Sequence, residues 1–429
     1  MQQKVPRYSW YVLLLLVCVY SVNWMDRYVL VILLEPLKRD LGLSDTSLGL
    51  LSGLAFAIVY SFAGIPIARF ADTHSRRGVL LAGLTVWSAM TMLCAGARGF
   101  VSLGLARLGV AVGEASCSPT AHSLISDYFP RTRRATAFAI YGLGIPIGMA
   151  LGLMFGGWAN EAYGWRMAFV IVGAPGIALA ILMWLTVREP QRGGIDATPA
   201  ETAHLSLPDV IHVLKTRRSF LAFAVGLGLY SFATNSFDTW SPAYLMRVHG
   251  MGSGEVGAML GSMQAVAGIS GTLASGLLAD HLGARDVRWY LWVTVGAALI
   301  MVPSMLVFLH GPPELLHVSY FVTAFCEASY VAPMVAMTQR LMPVRMRALS
   351  SALLFLILNL IGPGAGPSFV GIVNDVLAST YGNVALRYSL SIALGGALAG
   401  VALTLIAARR LPRDLQEPSP ASAPAPHAG

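Results

Sequence analysis

Twelve separate stretches of this chain are apolar over a length that crosses a lipid bilayer. They lie near residues 9–34, 46–68, 78–97, 100–125, 135–158, 165–187, 219–245, 255–279, 289–309, 317–341, 348–373 and 386–408. About 20 apolar residues in a helix span the hydrocarbon layer. Inside that layer a chain must satisfy its own backbone groups, which leaves helices or a closed barrel. Segments of this length predict helices, so the fold class expected is all-α, a membrane protein of twelve transmembrane helices. Composition agrees: 12% of the 429 residues are charged and 56% hydrophobic, where a soluble domain carries about 25% charged residues. The first apolar run outlasts a signal peptide and ends without a small-residue cleavage site, so it reads as a first span. The four cysteines, Cys18, Cys94, Cys117 and Cys326, lie in apolar stretches without metal-ligand spacing. They read as small buried thiols, with neither a disulfide scaffold nor a metal site expected.

Between the sixth and seventh segments lies the longest polar stretch. The organisation expected is therefore an N-terminal six-helix bundle over 1–187, a cytoplasmic linker over 188–218, a C-terminal six-helix bundle over 219–410 and a disordered tail over 411–429. A short amphipathic helix is expected near Pro208–Thr216. With the N-terminus in the cytoplasm and twelve alternating spans, 21 of the 29 lysines and arginines fall on the cytoplasmic side and six on the other. Basic residues concentrate in cytoplasmic loops, so the expected protein is multi-pass in a cell (inner) membrane with both termini cytoplasmic. The net charge of +8 is then a topology signal facing anionic headgroups, and no nucleic-acid partner is implied.

The chain also repeats itself. Glu114-Ala115-Ser116 returns as Glu327-Ala328-Ser329, 213 residues later, each followed by proline and Arg-Ala at matching distances. Tyr20-Ser21 before Asn23-x-x-Asp26 returns as Tyr230-Ser231 before Asn235-x-x-Asp238. Asn160-Glu161 returns as Asn374-Asp375, and the loop carrying Asp72, Arg76 and Arg77 returns with Asp280 and Arg285. Four matches in order at near-constant offset indicate two homologous halves, the plan of secondary transporters whose substrate site lies near the membrane midplane.

Those same residues resemble a known family. Ala68-x-x-x-Asp72-x-x-Ser75-Arg76-Arg77 resembles the signature loop of the major facilitator superfamily, and Gly276-x-x-x-Asp280-His281-x-Gly283-Ala284-Arg285 is closer to its full pattern. Gly144-Ile145-Pro146-Ile147-Gly148 resembles the family's fifth-helix motif. Asn23-x-x-Asp26-Arg27, Arg107, Gly113-Glu114-Ala115-Ser116 and Trp240-Ser241-Pro242 look like its spinster branch. The resemblance implies the two-bundle major facilitator fold, alternating access, and proton-coupled movement of an amphipathic lipid such as a lysophospholipid or sphingoid phosphate. A transporter of a small organic anion or drug, and a non-transporting receptor or scaffold on the same fold, stay open beside it. The lipid bilayer, a small-molecule or lipid substrate and protons are the expected partners, the chain is expected to be a monomer, and neither enzyme activity nor a cofactor is expected.

Ionisable groups within spans are costly and mark function. There are six: Asp26, Arg27, Arg107, Glu114, Asp238 and Glu327. The four acids belong to the repeated set, whereas Arg27 and Arg107 are replaced at their repeat positions by Thr239 and Tyr320. Arg107 and Glu114, seven residues apart, share a helix face. The expectation is that Arg107 pairs with Asp26 or Glu114, that a basic group holds an anionic head, and that Glu114 takes the proton that frees the arginine; a static pair locking two helices is the rival. Glu327 reads equally as a proton relay or as a protonated side chain bonded to a neighbouring helix. Asp238 is expected to cap the break made by Pro242, with direct coupling to the proton as the rival. The substrate or proton site so expected comprises Asp26, Arg27, Arg107, Glu114, Asn23, Glu327, Asp238 and Trp240, and the gating loops Asp72, Arg76, Arg77, Asp280 and Arg285. Asp72 and Asp280 are expected to pair with Arg76, Arg77 or Arg285, or to take bonds from helix N-termini. The aromatic residues Trp240, Tyr230, Phe237, Tyr141, Tyr320 and Tyr330 are expected to pack rather than to line a pocket, and His122 to be structural.

Overall fold

A segment without water to bond its backbone must close its own hydrogen bonds, and every regular element among the described residues is helical. The computed structural model describes residues 5–191, 218–330, 337–338 and 347–416. In the first sequence half the helices are α1 (Arg7–Leu41), α2 (Asp45–Ser52), α3 (Leu54–Thr73), α4 (Arg76–Leu93), α5 (Phe100–Glu114), α6 (Cys117–Tyr128), α7 (Arg131–Gly142), α8 (Gly144–Tyr163) and α9 (Trp165–Thr186). In the second they are α10 (Arg218–Val248), α11 (Ser253–Gly283), α12 (Trp289–His310), α13 (Leu316–Glu327), α14 (Arg347–Asn359), α15 (Gly366–Tyr381) and α16 (Ala385–Gln416).

Ten stretches of the described residues are long and apolar enough to cross a membrane. The last, Leu353–Leu411, covers two of the expected segments, and the segment beginning at α13 runs on beyond the described residues. The fold is the all-α membrane architecture that the apolar pattern predicts. The amphipathic helix near Pro208–Thr216 and the tail beyond Gln416 lie outside the described residues. Helix α16 continues through Pro412 to Gln416, past the point where the tail was expected to begin.

Several segments expected as single spans are two helices separated by an interruption of one or two residues. α2 and α3 meet at Gly53, and α5 ends at Glu114 before α6 starts at Cys117. In the second half α13 ends at Glu327, the repeat partner of Glu114, followed by a single 3₁₀ turn over Ala328–Tyr330. The internal repeat thus has a structural counterpart, a helix that stops on its glutamate. The stop after α5 follows from local chemistry. The Ser116 hydroxyl donates to the Gly113 carbonyl at 2.7 Å, and Thr120 donates to Ser116 O at 2.6 Å, so side chains take carbonyls the helix would otherwise use.

The chain forms two compact units. The first holds α1–α9 with Asn235–Ile269 and Pro363–Leu390; the second holds Ser270–Gly362 with residues 218–234 and 391–416, as far as these are described. Within the first unit, α8 presents Gly144, Gly148, Gly152 and Gly156 to α1. A Cβ at Gly148 would lie 2.3 Å from the Ser21 carbonyl oxygen, and one at Gly152 2.7 Å from that of Met25. Small residues every fourth position let two helices touch backbone to backbone, which seats α1 and everything it carries. The second unit has its own core, in which Phe220, Phe223, Leu227, Tyr290, Leu354 and Leu411 are buried. Apolar residues also face outward, as lipid contact requires: on α5, Val101 and Leu105 are 69% and 67% exposed while Arg107 and Glu114 point inward at 3% and 0%. The helix is polar on its buried side, the reverse of a soluble amphipathic helix.

Candidate functional site

On α1, positions 20, 24 and 27 fall on one helical face, and they hold Tyr20, Trp24 and Arg27. Arg27 is the centre of the site. Its Nε donates to Glu114 Oε2 at 2.5 Å, and the Glu114 side chain is fully buried while Arg27 keeps 19% of its own exposed. Three aromatic faces surround the guanidinium, with centroids 5.1 Å away for Trp24, 5.1 Å for Phe56 and 4.7 Å for Tyr60. Such rings attract a cation through their negative faces. Tyr20 extends this wall, stacked on Tyr141 at 4.4 Å, and Tyr141 in turn touches the edge of His122.

Arg107 lies deeper. Contrary to expectation it forms no salt bridge with Asp26 or Glu114. Its Nη1 donates to the backbone carbonyl of Asp26 at 3.3 Å, and its guanidinium carbon sits 4.9 Å from the Phe56 ring centroid. Asp26 is completely buried, and among the described residues no group donates a well-formed hydrogen bond to its carboxyl oxygens; the Asn23 side-chain nitrogen beside it likewise finds no acceptor among them. The reason for the changed pairing is helical register. Asp26 and Arg27 point about 100° apart, so only one of them faces Glu114 squarely, and that one is Arg27. The seven-residue spacing places Arg107 and Glu114 on one face of α5 but a full two turns apart, and α1 supplies the nearer cation.

The remaining expected residues separate. Asp238 receives the Tyr28 hydroxyl at 3.4 Å through its carboxylate. Pro242 lacks the N–H that would bond the Asp238 carbonyl four residues back, and the Ser241 hydroxyl takes that carbonyl at 3.5 Å. Trp240 is fully buried and donates its indole N–H to Pro367 O at 3.0 Å, a packing role. Tyr230 donates to Cys326 O at 2.9 Å and packs on Tyr330, and Phe237 is fully buried. Glu327, in the second unit, is partly buried at the end of α13.

The loop charges find partners the sequence did not single out. Arg76 pairs with Asp127 and with Glu189, the latter at 3.1 Å, and reaches Ser123 and the Pro190 carbonyl. Asp72, expected to pair with Arg76 or Arg77, is exposed and pairs with neither. The Arg77 guanidinium donates to Trp184 O. Burial pushes the Glu189 carboxyl up, but the backbone N–H of Arg77, the Ser75 hydroxyl and Arg76 outweigh it and hold Glu189 below the usual value. In the second copy, Asp280 accepts from Tyr290 OH at 3.0 Å, and among the described residues it forms no ion pair with Arg285.

A second buried charge cluster, unforeseen from the sequence, lies at the Leu41 end of α1. Arg247 of α10 donates to Glu35 and bidentately to Asp45, at 2.8 and 2.7 Å. Asp45 also takes Lys38 at 2.8 Å and the amide of Asn374. The only sequence signal was the repeated Asn-acid pair at 374–375. Among the described residues no group of His, Cys, Asp or Glu could hold a metal ion.

A helical bundle with a guanidinium–carboxylate pair buried in its apolar interior is the build of a membrane transporter, and the comparisons agree. The chain belongs to the Major Facilitator Superfamily, whose family model matches residues 16–367, and it is similar to the spinster proteins within it. It is 36% identical over 414 residues, 96% of this chain and 95% of the other, to an MFS-type efflux pump of Mycolicibacterium smegmatis. It is 30% identical to the sphingosine-1-phosphate transporter SPNS2 of Danio rerio, over 53% of this chain and 45% of that one. The solved structure of a bacterial homolog to the human lysosomal transporter spinster, inward-facing and unoccupied, superposes with a TM-score of 0.86 at 28% identity, covering 97% of this chain and all of that one.

Proposed function

We propose that this transporter moves an amphipathic anion, or a zwitterion with an anionic head, that is captured by Arg27. One observation carries the reading: Arg27 combines partial exposure, a single carboxylate partner and a wall of aromatic rings. Arg107, 3% exposed and bonded to a backbone carbonyl, reads as a fixed internal charge. A substrate anion competes with Glu114 for Arg27, and a proton on Glu114 removes the competitor. That exchange couples proton and substrate through one side chain. Asp26, fully buried and outside any salt bridge among the described residues, reads as a second proton site, since burying an ionised carboxylate costs several kcal/mol unless it is paired. The aromatic wall suits an apolar body next to the charge, which favours a lysophospholipid or sphingoid phosphate.

The positive-inside bias supports a cell membrane with both termini cytoplasmic, and the repeat supports halves at 1–187 and 219–410 joined by 188–218. The full-length similarity to an efflux pump favours a second reading, export of a drug-like organic anion through the same site. Proteoliposomes under an imposed pH gradient test both. With lysophosphatidic acid, sphingosine phosphate and a small aromatic carboxylate as substrates, flux that follows the gradient is expected. Arg27→Ala should abolish it, and Glu114→Gln should leave exchange but uncouple it from the gradient. Coupled wild-type flux in both variants would refute the assignment.

A further inference from the structure

The repeated Asn-acid pair has a shared structural task that extends the transporter reading. In α8, the Asn160 side-chain amide donates to the Ser253 hydroxyl at 2.8 Å, and Glu161 Oε2 accepts the Gly254 N–H at 2.7 Å. Ser253 is the first residue of α11. In α15, the Asn374 amide donates to the Asp45 carboxylate, and Asp375 accepts the N–H of Asp45 at 3.1 Å and of Thr46 at 2.7 Å. Asp45 is the first residue of α2. Each pair therefore uses its amide on the first side chain of a helix in the other sequence half and its acid on that helix's opening N–H groups. Those groups have no intrahelical acceptor, and a carboxylate there also meets the positive end of the helix dipole. Both caps lie within the first unit and at the Leu41 end of α1.

Backbone contact stands behind each cap. A Cβ at Gly157 would lie 2.3 Å from Ser253 O, and one at Gly257 2.3 Å from Leu153 O. At the other pair, a Cβ at Gly371 would lie 2.3 Å from Asp45 O, and one at Gly49 2.6 Å from Pro367 O. The two contacts are close, glycine-lined seams in which backbone meets backbone.

We propose that Asn160-Glu161 and Asn374-Asp375 are paired latches that hold the Leu41 end of the protein shut and release together when it opens there. The proposal rests on the transporter reading only in requiring that this end open at all. The latches differ in strength. Asn160-Glu161 holds a neutral serine and one N–H, whereas Asn374-Asp375 holds the Asp45 carboxylate and two N–H groups beside Arg247, Glu35 and Lys38.

Spin-label distances in lipid nanodiscs test this in the full chain with its four cysteines replaced. Labels go on the exposed positions Ala162 and Glu255 across one latch, and Arg98 and Asn383 near the other. Removing a capping acceptor is expected to raise the ratio of long to short distances about fivefold in Glu161→Ala and more in Asp375→Ala, with the double variant multiplying the two and Glu161→Gln falling between. Unchanged distances in a folded double variant would overturn the proposal. Should Asp375→Ala fail to fold, an unchanged Ala162–Glu255 distance in Glu161→Ala overturns it alone. Distances are read without substrate, so a failure to transport and a failure of the latches are separate results.

Discussion

The close seating of α1 on α8 makes the stability of the protein sensitive to a single methyl group at Gly148. In Gly148→Ala the new methyl lies 2.3 Å from Ser21 O and 2.6 Å from the Trp24 Cβ. Ordinary contacts begin near 3.4 Å, so α1 must retreat by about 1 Å at its contact with α8. The atom met first is backbone, and no rotamer change relieves it. Overpacking of this kind costs about 1–3 kcal/mol, and the upper part of that range applies against a backbone atom. Alanine recovers up to about 1 kcal/mol of helix propensity over glycine, leaving a net loss near 2 kcal/mol. Gly64→Ala is the control: no atom lies within 4 Å of its Cβ, so only the propensity gain remains. Equilibrium unfolding in mixed micelles with increasing SDS, followed by tryptophan fluorescence, should separate the two variants by roughly 3 kcal/mol. Because Trp24 and Arg27 ride on the displaced helix, Gly148→Ala should also weaken substrate binding, whereas Gly64→Ala should not. Equal stability of the two variants would show that α1 is not held by backbone contact and would refute the reasoning.

Arg247→Met leaves Glu35 and Asp45 buried without the guanidinium that joins them; a loss of about 3 kcal/mol is expected in the same titration, at the low end for a broken buried pair because Lys38 and Asn374 remain on Asp45. Trp240→Phe removes the donor to the Pro367 carbonyl and should cost about 1–2 kcal/mol, with no change in the pH dependence of flux. Glu189 has a lowered folded-state value, so its contribution to stability is present above the ordinary glutamate range and is lost as pH falls through that lowered value. The thermal midpoint of the wild type should therefore drop in acid by more than that of Glu189→Gln, and equal drops would dismiss the role given to Glu189.

How much of this was readable from the chain depends on what kind of interaction is in question. Spans were legible because lipid enforces a length and a polarity on every segment. The repeat was legible because Glu114 and Glu327, or Asn160-Glu161 and Asn374-Asp375, keep both identity and spacing. The ion-pair partner was not. Asp26, Arg27, Arg107 and Glu114 are all legible as a group, yet Arg27 rather than Arg107 meets Glu114, because the choice is made by rotation of α1 against α5, fixed in turn by glycines of α8. The aromatic shell was missed for a similar reason: Phe56 and Tyr60 sit one helical turn apart on α3, a spacing shared by any packed face. The cluster of Glu35, Asp45 and Arg247 joins residues more than 200 positions apart, and no local pattern announces it. The fate of Pro242 was half legible, since a freed carbonyl at Asp238 follows from covalent structure, while its recapture by Ser241 depends on a rotamer.

Phe56 lies between the two cations of the site. Its centroid is 5.1 Å from the Arg27 guanidinium carbon and 4.9 Å from that of Arg107, so at most 10.0 Å separates the two charges. At an effective dielectric of about 20 that repulsion is on the order of 1–2 kcal/mol. Arg107 is 3% exposed, whereas Arg27 keeps 19% of its side chain exposed, so Arg27 is the less enclosed of the two. Phe56 therefore holds two like charges in one neighbourhood, and Glu114, bonded to Arg27, offsets the repulsion between them.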